Sequence, residues 1–139
     1  MLTNVEAGIG GYGAQTRGGL YCQYFSETQY TDVSLYSIPQ VSFEGEYSGS
    51  LNDLQNIINT NTSNNMTQLA RILKAYIFST ITDRWGDVPY SQALKGDITP
   101  AFDKQENIYR GCMQELTQAV AAFNTSSSIS GDVLYGGDV

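Results

Sequence analysis

Histidine is absent from this 139-residue chain, and charged side chains are scarce. Without imidazole, zinc sites built on histidine and histidine-based catalytic triads are excluded. Asp, Glu, Lys and Arg make up 15% of the residues, and the net charge is −7. The seven Lys and Arg residues are scattered singly. Binding to nucleic acid requires clustered cations, so we predict that the chain binds neither DNA nor RNA.

Cysteine is also rare, and long apolar runs are missing. Cys22 and Cys112 are too few and too far apart for a disulfide framework. Cys112 lies in an apolar helical pattern and is expected to be a buried thiol. Tyr21 precedes Cys22 where a lipidation signal needs a small residue, so any lipid anchor is expected to lie outside this chain. No apolar run approaches the length of a membrane-spanning helix.

Tyrosine is the residue that the composition favours. Ten tyrosines accompany five phenylalanines and one tryptophan, with many Asn, Gln, Ser, Thr and Gly residues. Tyrosine combines a flat apolar face with a hydroxyl group that can stay hydrated. This composition suits a surface that meets uncharged polar ligands, although any single tyrosine can equally line a helical core.

Apolar residues recur at helical spacing in several segments. The strongest pattern covers 66–83, where the apolar stripe extends almost around the helix and leaves only Gln68, Arg71 and Lys74 as a polar edge. No segment alternates as a strand does, and the prediction is an all-α fold. The predicted helices cover residues 12–27, 50–60, 66–83 and 104–124.

Two of these helices carry capping signals at their predicted starts. Ser50 with Asp53 resembles a capping box, and Asp103 with Glu106 is expected to cap the last helix. The buried face of that helix is expected to consist of apolar residues at helical spacing. They are Ile108, Cys112, Leu116, Ala119, Val120 and Phe123.

Long polar loops join the predicted helices. The segment 28–47 is rich in aromatic residues and is interrupted by Pro39 and Gly45, and 84–103 is an unusually long connection. Residues 125–132 are expected to be a flexible linker. Sugars stack on aromatic rings and hydrogen-bond to amide and carboxylate groups, so the first of these loops and its start are the candidate ligand site. Its candidate residues are Tyr24, Gln29, Tyr30, Asp32 and Tyr36.

Four blocks in the second half of the chain resemble the SusD/RagB family. The sequence from Asp83 to Ala93 is similar to the D-x-W-G-D-V-P-Y-S-x-A pattern of one branch. The segment from Pro100 to Tyr109 resembles the family's P-x-[FY]-D-x-Q-E-x-I-Y helix start. Leu116–Ala119 and Asp132–Asp138 match two further family patterns in the expected order. The resemblance is firm over 67–139 and loose over 1–60.

The resemblance implies tetratricopeptide-like helix pairs with long irregular loops, one pair being 67–83 with 104–124. It further implies a surface-exposed lipoprotein of the Gram-negative outer membrane that delivers oligosaccharide to a SusC-like TonB-dependent transporter. Family members are longer, so residues 1–139 are expected to be the N-terminal part of a single domain. Neither catalysis nor a cofactor is implied. The W-G-D-V-P turn is expected to be structural through Trp85, Gly86, Asp87 and Pro89.

Two other functions deserve comparison with this one. A glycoside hydrolase needs two carboxylates flanking a cleft. Asp83 and Asp87 are close in sequence, but Asp87 is expected to accept backbone N–H groups in its turn, and Asp32 has no evident partner carboxylate. A tetratricopeptide-type interaction module would have shorter turns and more charge. The sequence contains no calcium-binding D-x-D-x-D-G loop, so no metal site is predicted.

Overall fold

A computed structural model describes residues 2–13, 16–32, 34–37 and 42–139, with the backbone alone at 9–13 and 16–17. Its helices are α1 (Leu2–Gly13), α2 (Thr16–Tyr21), α3 (Glu44–Glu46), α4 (Asn52–Thr60), α5 (Asn64–Trp85) and α6 (Gln105–Ala121). Two short strands, β1 (Val88–Pro89) and β2 (Phe102–Asp103), pair antiparallel. The predicted all-α fold is confirmed. Pro39 lies outside the described residues.

Helices α5 and α6 form the central pair. The core of the molecule surrounds α5, where Leu73, Ile77, Phe78 and Ile81 are at most 5% exposed. Arg71 was expected to lie on a polar edge, but it faces α6, where its Nε lies 2.8 Å from Oε1 of Glu115. The polar edge of α5 therefore contributes to the helix pair instead of meeting solvent.

The N-terminal helices differ from the predicted helix over 12–27. The backbone is helical in α1 and α2, and α2 ends at Tyr21 because Gln23 adopts a left-handed φ of 61°. Leu2 and Val5 of α1 are 5% and 2% exposed and join the core. Apolar residues do recur at helical spacing over 12–27, but the helix ends at Tyr21, before the last of them.

The helical segment before the central pair begins earlier than predicted. A π-helical turn, Tyr47–Leu51, connects α3 to α4, and its backbone bends at Gly49. Gly45 therefore lies within α3 and not in the predicted loop. The expected start at Ser50 is wrong because residues from Glu44 onward are already helical.

The start of α6 is stabilised by a different carboxylate from the one predicted. Asp103 does not cap this helix, because it accepts hydrogen bonds from the N–H groups of Tyr90 and Ser91 at 2.9 and 2.7 Å. Instead, Oδ1 of Asp87 accepts the N–H of Gln105 at 3.0 Å. A carboxylate at this end of a helix satisfies a free N–H and opposes the helix dipole.

The outer part of the predicted buried face of α6 is exposed. Ile108, Cys112 and Ala119 are at most 4% exposed, as predicted. Leu116 and Val120 are 36% and 64% exposed, so their predicted burial is wrong. A helix packed against one neighbour buries a limited arc, and these two residues lie outside it.

The segment 125–132, predicted as a flexible linker, packs against the core through Ile129, and a turn follows it. Ile129 is 6% exposed, and Asp132 is 8% exposed. Asp132 accepts the N–H groups of Leu134 and Gly137 at 2.9 and 3.0 Å, which closes the turn on itself. Within the described ranges, no helix is long and apolar enough to cross a membrane.

Candidate functional site

The tyrosine loop, residues 22–37 without the undescribed residue 33, is the site that the sequence predicted. It follows α2 and is almost entirely exposed to solvent. Tyr24 and Tyr30 are 84% and 73% exposed, so much of each side chain is accessible to a ligand. Gln29 and Tyr30 help to line a shallow concavity of about 300 Å³, which is formed by residues 26–30.

Tyr36 holds the loop against the preceding helix. Its hydroxyl donates a hydrogen bond to the carbonyl of Tyr21 at 3.0 Å, and the two rings lie 5.1 Å apart. Tyr36 also adopts a left-handed φ of 64°. Its ring is 57% exposed, and one side of it is occupied by Tyr21. Tyr21 was not among the residues predicted for this site.

Asp32 acts in the loop through its backbone. Its carbonyl accepts the N–H groups of Leu35 and Ser37 at 3.2 and 2.9 Å, while its side chain stays exposed. A further bond, from the N–H of Glu27 to the hydroxyl of Ser34 at 3.0 Å, ties the two halves of the loop together. The predicted residues thus share one loop, but only Gln29 and Tyr30 line its concavity.

The W-G-D-V-P turn connects α5 to the first strand. Gly86 ends α5 with a φ of 74° and a ψ of −123°, a conformation that side chains disfavour. The ring of Trp85 packs edge-on against Phe43 at 6.0 Å, and the guanidinium of Arg84 lies 4.2 Å above it. The carbonyl of Pro89 accepts the hydroxyl of Tyr47 at 2.6 Å.

Asp87 and Asp83 are both engaged by neighbouring side chains. Oδ2 of Asp87 lies 2.7 Å from Nζ of Lys104, and this hydrogen bond is the main reason why the pKa of Asp87 is lowered. Asp83 accepts a hydrogen bond from the hydroxyl of Tyr109, which raises the pKa of that tyrosine. The lowered pKa of Asp87 is the opposite of the raised pKa that a general acid needs.

A second concave surface, not predicted from the sequence, lies beside the turn. We call it the proline groove: it has a volume of about 300 Å³ and lies between the segment 43–48 and the loop 89–100. Pro89 and Ala93 form its buried floor, and Phe43 lines one side. The only sequence signal was the unusual length of the 84–103 connection.

The fold defines an all-helical protein with tetratricopeptide-like helix pairs. The profile of the SusD-like_2 family, described as starch-binding and associating with the outer membrane, matches residues 1–139. The chain therefore belongs to the SusD-like family.

Solved structures resemble most of the chain. A chitin-binding protein matches with a TM-score of 0.73 and 32% identity, covering 86% of this chain and 28% of its own. A SusD homologue from Bacteroides fragilis NCTC 9343 matches with a TM-score of 0.69 and 34% identity, covering 82% and 25%.

A third structure, from Bacteroides vulgatus ATCC 8482, is described as a candidate outer-membrane protein involved in nutrient binding. It matches with a TM-score of 0.69 and 25% identity, covering 88% of this chain and 31% of its own. The chain thus spans between a quarter and a third of the length of these solved chains. No curated protein sequence matches it.

Proposed function

We propose that this chain is the N-terminal part of a cell-surface protein that captures oligosaccharide without cleaving it, using the tyrosine loop as a contact surface. The exposure of Tyr24 and Tyr30 is the observation that carries the proposal. Large aromatic rings that are neither packed nor bonded stack well on the apolar faces of sugar rings. Membership of a family described as starch-binding, and likeness to a chitin-binding protein, supply the ligand class.

The exposed surface of the loop favours uncharged glycans. Its described residues contain no Lys or Arg, so recognition of a sulfated or carboxylated sugar would lack a partner cation. Amide and hydroxyl groups, such as those of Gln29 and Tyr30, can hydrogen-bond to sugar hydroxyls in either direction. We therefore expect binding to a neutral oligosaccharide, with modest affinity unless several rings act together.

Asp83 and Asp87, the two carboxylates considered for a glycosidase, are engaged in other contacts. Asp87 is bonded to Lys104 and to the start of α6, and Asp83 is bonded to Tyr109. Both serve the packing of α6 against the turn. These contacts support binding without hydrolysis, and incubating the protein with maltoheptaose and with N-acetylchitohexaose should yield no shorter products.

The loop can be tested with exposed tyrosines alone. The double variant Tyr24→Ala/Tyr30→Ala should weaken binding of maltoheptaose or N-acetylchitohexaose about tenfold, since each stacked ring contributes about 0.5–1.5 kcal/mol. Tyr135→Ala is the matched control, because Tyr135 is 77% exposed and lies outside the loop. Tyr36 is unsuitable for this purpose because it also holds the loop to Tyr21. Undiminished affinity in the double variant would place the binding site elsewhere.

We further propose that the protein delivers the captured oligosaccharide to a SusC-like TonB-dependent transporter in the outer membrane. Family membership and likeness to proteins described as outer-membrane components support it. A lipid anchor outside residues 1–139 would hold the protein at the cell surface. Copurification of a TonB-dependent transporter with the natural protein from outer membranes tests this step, and its absence from such preparations would contradict it.

A further inference from the structure

The proline groove has the size and lining of a small ligand subsite. Its volume of about 300 Å³ lies at the lower end of the range for ligand pockets. The floor, Pro89 and Ala93, is buried, and Leu94 and Pro100 form half-buried apolar sides. These dimensions suit a group comparable to a single sugar ring better than an extended chain.

Aromatic contacts hold one wall of the groove in place. The ring of Phe43 lies 6.0 Å from that of Trp85 and 6.1 Å from that of Phe102, edge-on in both cases. Tyr47, beside it, is fixed by the 2.6 Å hydrogen bond from its hydroxyl to the carbonyl of Pro89. A wall whose side chains are already locked loses little entropy when a ligand stacks on it.

The opposite wall is equally constrained. Asp103 holds the N–H and the hydroxyl of Ser91, and Gln92 accepts the N–H of Ala101 at 2.9 Å. Between these bonds, Leu94 adopts a left-handed φ of 61°, which is costly for a residue other than glycine. Such a conformation persists only where the surrounding structure imposes it.

The charge of the groove distinguishes between classes of sugar. Glu44 lies on one wall and Asp97 on the other, both exposed, and no Lys or Arg is among the lining residues. Lys95 is close in sequence, but its ammonium lies 2.6 Å from the carbonyl of Ser91. The groove therefore disfavours sulfated or carboxylated sugars and favours a ligand with a cationic group beside an apolar face.

We propose that the proline groove is a subsite for an amino sugar, whose apolar face stacks on Phe43 and whose ammonium group is attracted by Glu44 and Asp97. The inference rests on the proposed function, because it adds a second contact for a bound oligosaccharide at a distance along the chain from the tyrosine loop. It names an amine-bearing residue as the preferred occupant of this subsite.

Paired tetrasaccharides test the charge preference directly. The affinity of the protein for the glucosamine tetramer should exceed that for the N-acetylglucosamine tetramer by about three- to tenfold at low salt, as two exposed ion pairs allow. The preference should fall at about 0.5 M salt because exposed charges are screened. Glu44→Gln/Asp97→Asn should abolish it.

A matched control separates the groove from the overall charge. Glu106→Gln/Asp138→Asn removes two negative charges at exposed positions outside the groove and should retain the preference. Leu94→Gly removes part of the apolar wall while keeping an accessible backbone conformation, and should weaken both tetramers. If the preference survives in Glu44→Gln/Asp97→Asn, or is lost equally in the control, the groove is not the amino-sugar subsite.

The outcomes distinguish this inference from the proposed function. If neutral oligosaccharides bind through Tyr24 and Tyr30 but no amine preference is measured, the groove proposal is wrong and the proposed function stands. If the amine preference depends on Glu44 and Asp97 while neutral oligosaccharides do not bind, the groove stands and the tyrosine-loop proposal is wrong. If neither tetramer nor any neutral oligosaccharide binds, both are wrong.

Discussion

Asp87 shows how one side chain in a turn can order two elements. Its carboxylate accepts hydrogen bonds from the N–H of Gln105 and from the ammonium of Lys104. These bonds fix the turn after α5 to the start of α6. Gln105 completes the junction by donating from its side chain to the carbonyl of Thr82 at 2.7 Å. The W-G-D-V-P sequence therefore sets the geometry of the central helix pair.

At Gly86, a side chain would have to adopt a backbone conformation that favours glycine. Gly86→Val should lower the free energy of unfolding by about 1–3 kcal/mol, the usual cost of such strain. Gly45→Val is the control, because Gly45 is helical and a β-carbon there would meet nothing within 4 Å. Denaturant melts should separate the two variants. Normal stability with lost glycan binding in Gly86→Val would instead place the turn in the binding site.

Glu6 introduces a pH dependence at the contact between α1 and the C-terminal turn. It is 2% exposed, and its Oε2 accepts the N–H of Val133 at 2.7 Å. Burial is the main reason why the pKa of Glu6 is raised, and the neighbouring Asp132 carboxylate adds to the rise. Because the folded-state pKa of Glu6 lies above its ordinary value of 4.5, the protonated side chain stabilises the folded state fully at pH values below 4.5. This stabilisation is lost as the pH rises through the folded-state pKa.

Glu6→Gln tests this dependence because glutamine stays neutral. Thermal melts should show the variant gaining stability relative to the wild type as pH rises from about 4 to 7. Asp97→Asn, at an exposed position outside the helices, controls for the loss of a charge. A stability difference between Glu6→Gln and the wild type that does not change with pH would contradict the account.

At the scale of elements, α6 buries a narrower face than its apolar pattern indicates. Ile108→Ala should cost about 2–5 kcal/mol, because Ile108 is fully buried against α5. Val120→Ala on the same helix should cost about 0.5 kcal/mol or less, because Val120 is 64% exposed. Denaturant melts give both values. Equal costs would mean that both faces of α6 are packed in solution.

The sequence predicted the central helices better than it predicted their ends. The apolar stripe predicted α5 correctly, because many positions at helical spacing between Ala70 and Ile81 are buried in the structure. The cap of α6 could not be predicted, because its carboxylate comes from Asp87, distant in sequence, while the adjacent Asp103 serves another segment. Periodicity reports local preference, whereas capping depends on which distant groups meet.

The candidate sites were predictable to different extents. Composition drew attention to the tyrosine loop, since Tyr30 and Tyr36 have no apolar periodicity to explain them. The role of Tyr36 in holding the loop was not predictable, because it depends on a contact with Tyr21. The proline groove was missed because its walls come from segments about fifty residues apart along the sequence. No local motif encodes such a surface.

In the molecule as a whole, the packed helices and the exposed tyrosines belong to different parts of the structure. The α5–α6 pair and the aromatic contacts around the turn form a fixed scaffold, while Tyr24 and Tyr30 project from a loop with few long-range bonds. Binding surfaces are commonly placed on loops that a rigid scaffold supports. This division suits a protein that contacts its ligand through an exposed loop.

Glycan binding by the tyrosine loop can be measured by an NMR titration of the isotopically labelled protein with maltoheptaose and, separately, with N-acetylchitohexaose. We expect saturable shifts of backbone amide resonances over residues 24–36 with at least one of these glycans, and we expect the glycan to be unchanged after incubation. Shifts confined to residues outside the tyrosine loop, no shifts with either glycan, or the appearance of shorter oligosaccharides would contradict it.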